Sequence, residues 1–83
     1  MPGVGRIGDK DSDGDIKIKG STDVFVNGKG VLRLGDTDDD GSPDVNVKGS
    51  STVFVNGKPV VRLGDKDNDN DVLVTASADV IAG

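Results

Sequence analysis

Apolar and polar residues alternate in short runs along this chain. Ile16-Lys17-Ile18-Lys19, Val45-Asn46-Val47-Lys48 and Val72-Leu73-Val74-Thr75 each place apolar side chains on every second position. A period of two over about four residues predicts a half-buried strand rather than a helix. Val, Ile and Phe favour strands, while the strong helix formers Glu and Gln are absent. Two further apolar runs, Val24-Phe25-Val26 and Val53-Phe54-Val55, are each followed by Asn-Gly-Lys. Asn-Gly between apolar runs marks a two-residue hairpin, because both central residues of a type I′ turn need positive φ. The pattern predicts Asp23–Val26 pairing with Lys29–Leu34, and Thr52–Val55 pairing with Lys58–Leu63.

These runs belong to a threefold repeat. Arg6-Ile7-Gly8-Asp9, Arg33-Leu34-Gly35-Asp36 and Arg62-Leu63-Gly64-Asp65 open the copies, with Arg-to-Arg spacings of 27 and 29. Each opening leads into an Asp-rich loop, a strand and a small-residue step: Gly20-Ser21, Gly49-Ser50 and Ala76-Ser77. The third copy ends early, at Asp79-Val80-Ile81-Ala82-Gly83. Units of this length cannot bury their own apolar face and must stack on one another. The expectation is a single all-β domain over 1–83, with repeats of approximately 6–32, 33–61 and 62–83. Gly8, Gly35 and Gly64, at equivalent places, are expected to need positive φ or a close backbone approach.

Composition narrows the chemistry. The chain has 83 residues and a net charge of −5, with no Cys and no His, and all 15 acidic residues are Asp. Nucleophilic or acid–base catalysis by Cys or His is excluded, as is a zinc site built from them. Disulfides are excluded too, so a domain this small lacks the usual staple. The acidic balance argues against a nucleic-acid partner. No apolar run approaches the ~20 residues of a membrane span, and the pattern of a signal peptide is not present. Val, Ile, Leu and Phe together stand well above the roughly 20 % that marks a disordered chain.

Thirteen of the 15 Asp fall in three loops: Asp9 to Asp15, Asp36 to Asp44, and Asp65 to Asp71. Carboxylates at i, i+2 and i+4 form the first half of a calcium loop. The twelfth positions are Gly20, Val47 and Ala76, which cannot supply the bidentate carboxylate, so these are not EF-hands. Two readings stand: weaker cation sites, or solvated turns in which Asp caps nearby N–H groups.

The ordered recurrence of these motifs resembles the PAAR-repeat proteins. Pro59-Val60-Val61-Arg62 stands where Pro-Ala-Ala-Arg would, and Gly30-Val31-Leu32-Arg33 is the earlier copy. The Gly-Asp, Gly-Ser and Asn-Gly-Lys steps match as well, from Arg6 to Gly83. The resemblance implies a small pseudo-threefold cone of short strands and hairpins that caps the spike of a contractile injection machine. The family typically holds zinc near its apex with His and Cys, which this chain lacks, so zinc is not expected here. Aligned on the family's spacing, Asp13 and Asp69 fall at ligand positions. In the longer middle loop the place goes to Asp40 or, counted back from Gly49, to Ser42. Asp13, Asp40 and Asp69 would make an all-oxygen site suited to Ca²⁺ or Mg²⁺.

The implied partner is a trimeric β-helical spike protein, one monomer per trimer, whose unpaired strand edges the cone would cover. The implied place is a virion tail or injection-machine tip, extracellular after firing, with a target membrane touched only on penetration. Shape and stiffness would do the work, without enzymatic chemistry. With the third repeat ending at Gly83, a bare tip without a cargo domain is expected. A calcium-binding extracellular β-repeat module is the alternative, and glycoside hydrolysis by paired carboxylates is disfavoured because no aromatic substrate surface is present. Three finer expectations concern single side chains. Phe25 and Phe54 are assigned to the interior of the cone, with its partner-facing base as the alternative. Arg6, Arg33 and Arg62 pair with Asp9, Asp36 and Asp65. All seven lysines, Lys17 among them, serve solubility and edge protection.

Overall fold

A computed structural model describes residues 2–37 and 45–83. The described residues contain strands and turns and no helix. Two hairpins stand out: β1 (Phe25–Val26) pairs antiparallel with β2 (Lys29–Gly30), and β3 (Phe54–Val55) with β4 (Lys58–Pro59). Their turns are as the Asn-Gly steps require, with φ of 55° and 76° at Asn27 and Gly28, and 54° and 77° at Asn56 and Gly57. Gly8, Gly35 and Gly64 also sit at positive φ, at 98°, 92° and 87°.

The expected long hairpins are shortened for a reason. Past Gly30 and Pro59 each chain keeps one more hydrogen bond to its own hairpin, from Val31 N to Val24 O and from Val60 N to Val53 O. It then pairs with the opening of its own repeat, Arg6 bridging Val31 and Arg33 bridging Val60, while the opening of the third repeat pairs with the N-terminal segment, Arg62 bridging Val4. Three backbone bonds close a ring: Gly5 N to Val61 O at 2.8 Å, Val61 N to Leu32 O at 3.1 Å, and Leu32 N to Gly5 O at 3.0 Å. A second ring runs through Ile7 N to Gly30 O, Leu34 N to Pro59 O, and Leu63 N to Gly3 O. Val61 N–H finds its acceptor in the first repeat, and Leu32 and Leu63 N–H find theirs in the N-terminal segment at Gly5 and Gly3, so a repeat on its own would leave donors unpaired.

The early end of the third copy is made good by the other terminus. Gly3 bridges Ile81, in the relation that Gly30 has to Phe25 and Pro59 to Phe54. The third hairpin is therefore split, one strand from each end of the chain. Gly3 permits this, because a Cβ there would lie 2.2 Å from the Ser77 carbonyl oxygen.

Two apolar layers fill the interior. Val4, Val31, Val60 and Ala82 form one, with Val26 and Val55 packed against it. Leu32, Val61 and Leu73 form the other, flanked by Ile7 and Ala76. Gly5 stands where Leu32 and Val61 stand in their repeats, and a Cβ on it would meet Leu73 Cδ2 at 2.7 Å and Leu32 Cδ1 at 2.9 Å. Leu73 thus fills the place that Gly5 leaves open. Phe25 and Phe54 lie outside both layers, 59 % and 54 % exposed. The assignment of both rings to the interior is corrected accordingly. Their neighbours Val26 and Val55 take the inward positions, as the strand period requires.

Candidate functional site

The Asp loops are built from local contacts. Asp11 Oδ1 accepts hydrogen bonds from the N–H groups of Asp13 and Asp15, both at 3.0 Å. Asp67 Oδ1 does the same for Asp69 at 2.9 Å and Asp71 at 3.0 Å. Each carboxylate therefore shapes its loop with one oxygen and leaves Oδ2 for the interior. Strand pairing then joins the loops, since Asp11 bridges Leu73 and Asn46 bridges Asp67. Ser12 Oγ donates to Asp71 Oδ1 and accepts from Val72 N–H, tying the first loop to the third.

Asp11, Asp67 and Asp71 each bring a carboxylate oxygen within 4.8 Å of the others. Asp11 and Asp67 are buried, and their Oδ2 atoms and that of Asp71 accept no hydrogen bond among the described residues. Desolvation raises the Asp71 carboxyl above the ordinary value, helped by the charges of Asp13, Asp67 and Asp11, while the Ser12 bond opposes this. Lys17, 1 % exposed, places Nζ 3.6 Å from Asp11 Oδ2 and 3.8 Å from Asp67 Oδ2. Its assignment to solubility is corrected, because strand alternation turns Lys17 inward and Ile16 and Ile18 outward.

Of the residues aligned to the ligand positions, Asp13 and Asp69 are exposed at the loop turns, and Asp40 lies outside the described residues. The alternation of the strands, carried into the loops, is the signal for the inward pairs. Asp9 and Asp11 are buried while Lys10 and Ser12 are exposed, and Asp65 and Asp67 are buried while Lys66 and Asn68 are exposed.

The pairing of each Arg with the Asp three residues on is present in all three repeats. The Arg6 backbone N–H and Nε bond Asp9 Oδ2, and its Nη2 bonds Asp9 Oδ1 at 2.9 Å. Arg33–Asp36 and Arg62–Asp65 repeat this geometry. Bidentate charge-assisted bonds of this kind are the strong ones, and they raise each guanidinium further above its already high value. A second set links repeats in a circle. Ser77 Oγ donates to Asn27 Oδ1, Ser21 Oγ to Asn56 Oδ1, and Ser50 Oγ to the Gly83 carbonyl. Gly83 thus stands in for the asparagine that the third repeat lacks.

Phe25, Phe54 and Ile81 occupy equivalent positions and are all more than half exposed. They lie on the two hairpins and on the split one. A threefold monomer that leaves equivalent large apolar side chains exposed in each repeat, Ile18, Val47 and Val74 on the preceding strands as well as this triad, carries the pattern of an interaction surface. A family model described as the PAAR motif matches residues 7–75. The chain belongs to the PAAR motif family. No curated protein matches it. PAAR proteins are associated with the spike tips of contractile injection and type VI secretion machines, as structural components, and this chain carries that association. In the PAAR frame, the Arg–Asp pairs follow each copy of the motif and fix the chain where it leaves one repeat for the next.

The zinc that the PAAR resemblance implies finds no donor set in this chain. Neither Cys nor His is present, and the buried carboxylates of Asp11 and Asp67 already face the ammonium of Lys17.

Proposed function

We propose that this protein caps and sharpens the trimeric β-helical spike of a contractile injection machine, one monomer per trimer. The observation that carries the reading is the exposed apolar triad of Phe25, Phe54 and Ile81, one side chain per repeat of a threefold monomer. A threefold set of apolar anchors on one chain matches the blunt end of a three-chain β-helix, where each subunit offers one edge. Capping would cover those edges and bury apolar area that a domain of this size leaves exposed. The function is mechanical, arising from shape and stiffness with no bond made or broken. The Asp loops would form the leading end.

The test is stoichiometric. Mixing the protein with a trimeric spike β-helix fragment should give a complex of one monomer per trimer by native mass spectrometry. Replacing Phe25 and Phe54 with Asp should abolish that complex while leaving the thermal midpoint of the free monomer within a few degrees. A different ratio, or a complex untouched by the double substitution, sinks the reading.

A further inference from the structure

Lys17 differs from the other six lysines, all of which are exposed. Its backbone is pinned on both sides: its N–H donates to Asp9 O at 2.8 Å, and its carbonyl accepts from Gly8 N–H at 2.7 Å. Its side chain is 1 % exposed and ends among carboxylates that are themselves 1 % exposed. Asp11 and Asp67 cannot turn away, since their other oxygens are held by loop N–H groups. Buried carboxylates without a counter-charge are strongly disfavoured. Something positive is needed at this place, and the chain has neither Cys nor His to hold a zinc ion.

We infer that the Lys17 ammonium is the resident cation of the tip, a covalently attached replacement for a metal ion. The equivalent positions support this. Asn46 and Leu73 stand where Lys17 stands, and both are buried. One ammonium suffices near the axis, and three would repel one another. Of the three equivalent positions, Lys17, Asn46 and Leu73, one supplies the charge. At 3.6 Å and 3.8 Å, the contacts to Asp11 and Asp67 are longer than hydrogen bonds, so the attraction in these two pairs is between charges and not directional. A tip closed in this way folds without any divalent ion, and the Ca²⁺ or Mg²⁺ expected at the Asp loops becomes unnecessary. This inference does not depend on what the tip is mounted on.

The experiment follows thermal unfolding of the whole chain in chelator and in millimolar Ca²⁺ or Mg²⁺, with calorimetric titration of each ion. The wild-type midpoint should be the same in both conditions, with no stoichiometric binding. Lys17→Met keeps the length of the side chain and removes its charge. It should lower the midpoint in chelator, and Ca²⁺ or Mg²⁺ should restore much of the loss. The triple variant Lys17→Met, Asp11→Asn, Asp67→Asn keeps the loop-shaping acceptors and removes the uncompensated charges. It should recover stability without any metal, and it does so even if Lys17→Met alone fails to fold in chelator. Three results overturn the inference: wild-type protein that binds one divalent ion and is stabilised by it, Lys17→Met as stable as wild type in chelator, or a triple variant no more stable than the single one.

Discussion

Asp23 and Asp71 are the same residue type in the two halves of the molecule, and their carboxyls are pushed in opposite directions. Beside the hairpins, Asp23 accepts from Asn56 Nδ2 at 3.0 Å and shares the single Ser21 hydroxyl hydrogen with Asn56 Oδ1, and these bonds hold its carboxyl below the ordinary value. Among the Asp loops, desolvation and neighbouring Asp charges push Asp71 up. The hairpin half has enough donors for its few acids. The loop half crowds carboxylates together and depends on positive charge. The comparison teaches that one repeat can serve two different physics, apolar layering at one end and charge compensation at the other.

The strongest way to break the apolar half is to open a cavity in it. Leu32 is fully buried between Val61 and Leu73, and Leu32→Ala should cost about 2 to 5 kcal/mol by the usual transfer and cavity terms. Chemical denaturation should find that loss unchanged between low and high salt.

The next largest effect is expected where the halves meet. Asp36 takes three bonds from Arg33, and its side chain is 5 % exposed. Asp36→Ala leaves the Arg33 backbone N–H, Nε and Nη2 unpaired, with Nη1 still donating to Asn56 Oδ1, and should cost about 2 to 3 kcal/mol because the pair is only partly buried. Double-mutant cycles against Arg33→Met should show strong coupling, whereas Asp36 and Leu32 should be nearly additive.

Smaller still is the circular lock between repeats. Ser77 Oγ accepts from the N–H groups of Asp79 and Val80 and donates to Asn27. Ser77→Ala should cost about 1 to 2 kcal/mol, as loss of a capping hydroxyl does. Hydrogen exchange should rise at the split hairpin of Gly3 and Ile81 before it rises at β1 and β2.

The smallest effect sharpens the comparison by sign. A carboxyl with a lowered value supports the fold above the ordinary aspartate value of about 4, and that support is lost as pH falls through the folded value. Asp23→Asn should therefore lower the midpoint at pH 7, with the difference vanishing in acid. A carboxyl with a raised value opposes the fold once ionised. Asp71→Asn should raise the midpoint at pH 7, and this gain should also vanish below about pH 4. If both substitutions shift the pH 7 midpoint in the same direction, the contrast between the halves fails.

Much of this was readable from the chain alone, and the readable parts share a property. The Asn-Gly turns, the positive φ at Gly8, Gly35 and Gly64, and the Arg–Asp pairs all act over two or three residues. Repeat spacing and alternation announced an all-β threefold unit, and the PAAR family match agrees with it. What stayed hidden were the contacts that cross repeats. The inward set of Asp11 and Asp67 follows from carrying strand alternation into a loop that looks like a solvated turn. Phe25 and Phe54 lie outside because strand alternation gives the inward positions to Val26 and Val55.

The sequence by itself determined the three units, their turns and their local ion pairs, because each of these depends on neighbours a few positions away. Only the tertiary structure decided how the circle closes and where the charge goes. Gly3 meets Ile81, and Ser77 meets Asn27, across separations that no local pattern encodes. Lys17 reads like any other strand lysine until three repeats are folded about one axis. Burial by all of them at once then leaves its ammonium facing the carboxylates of two different loops.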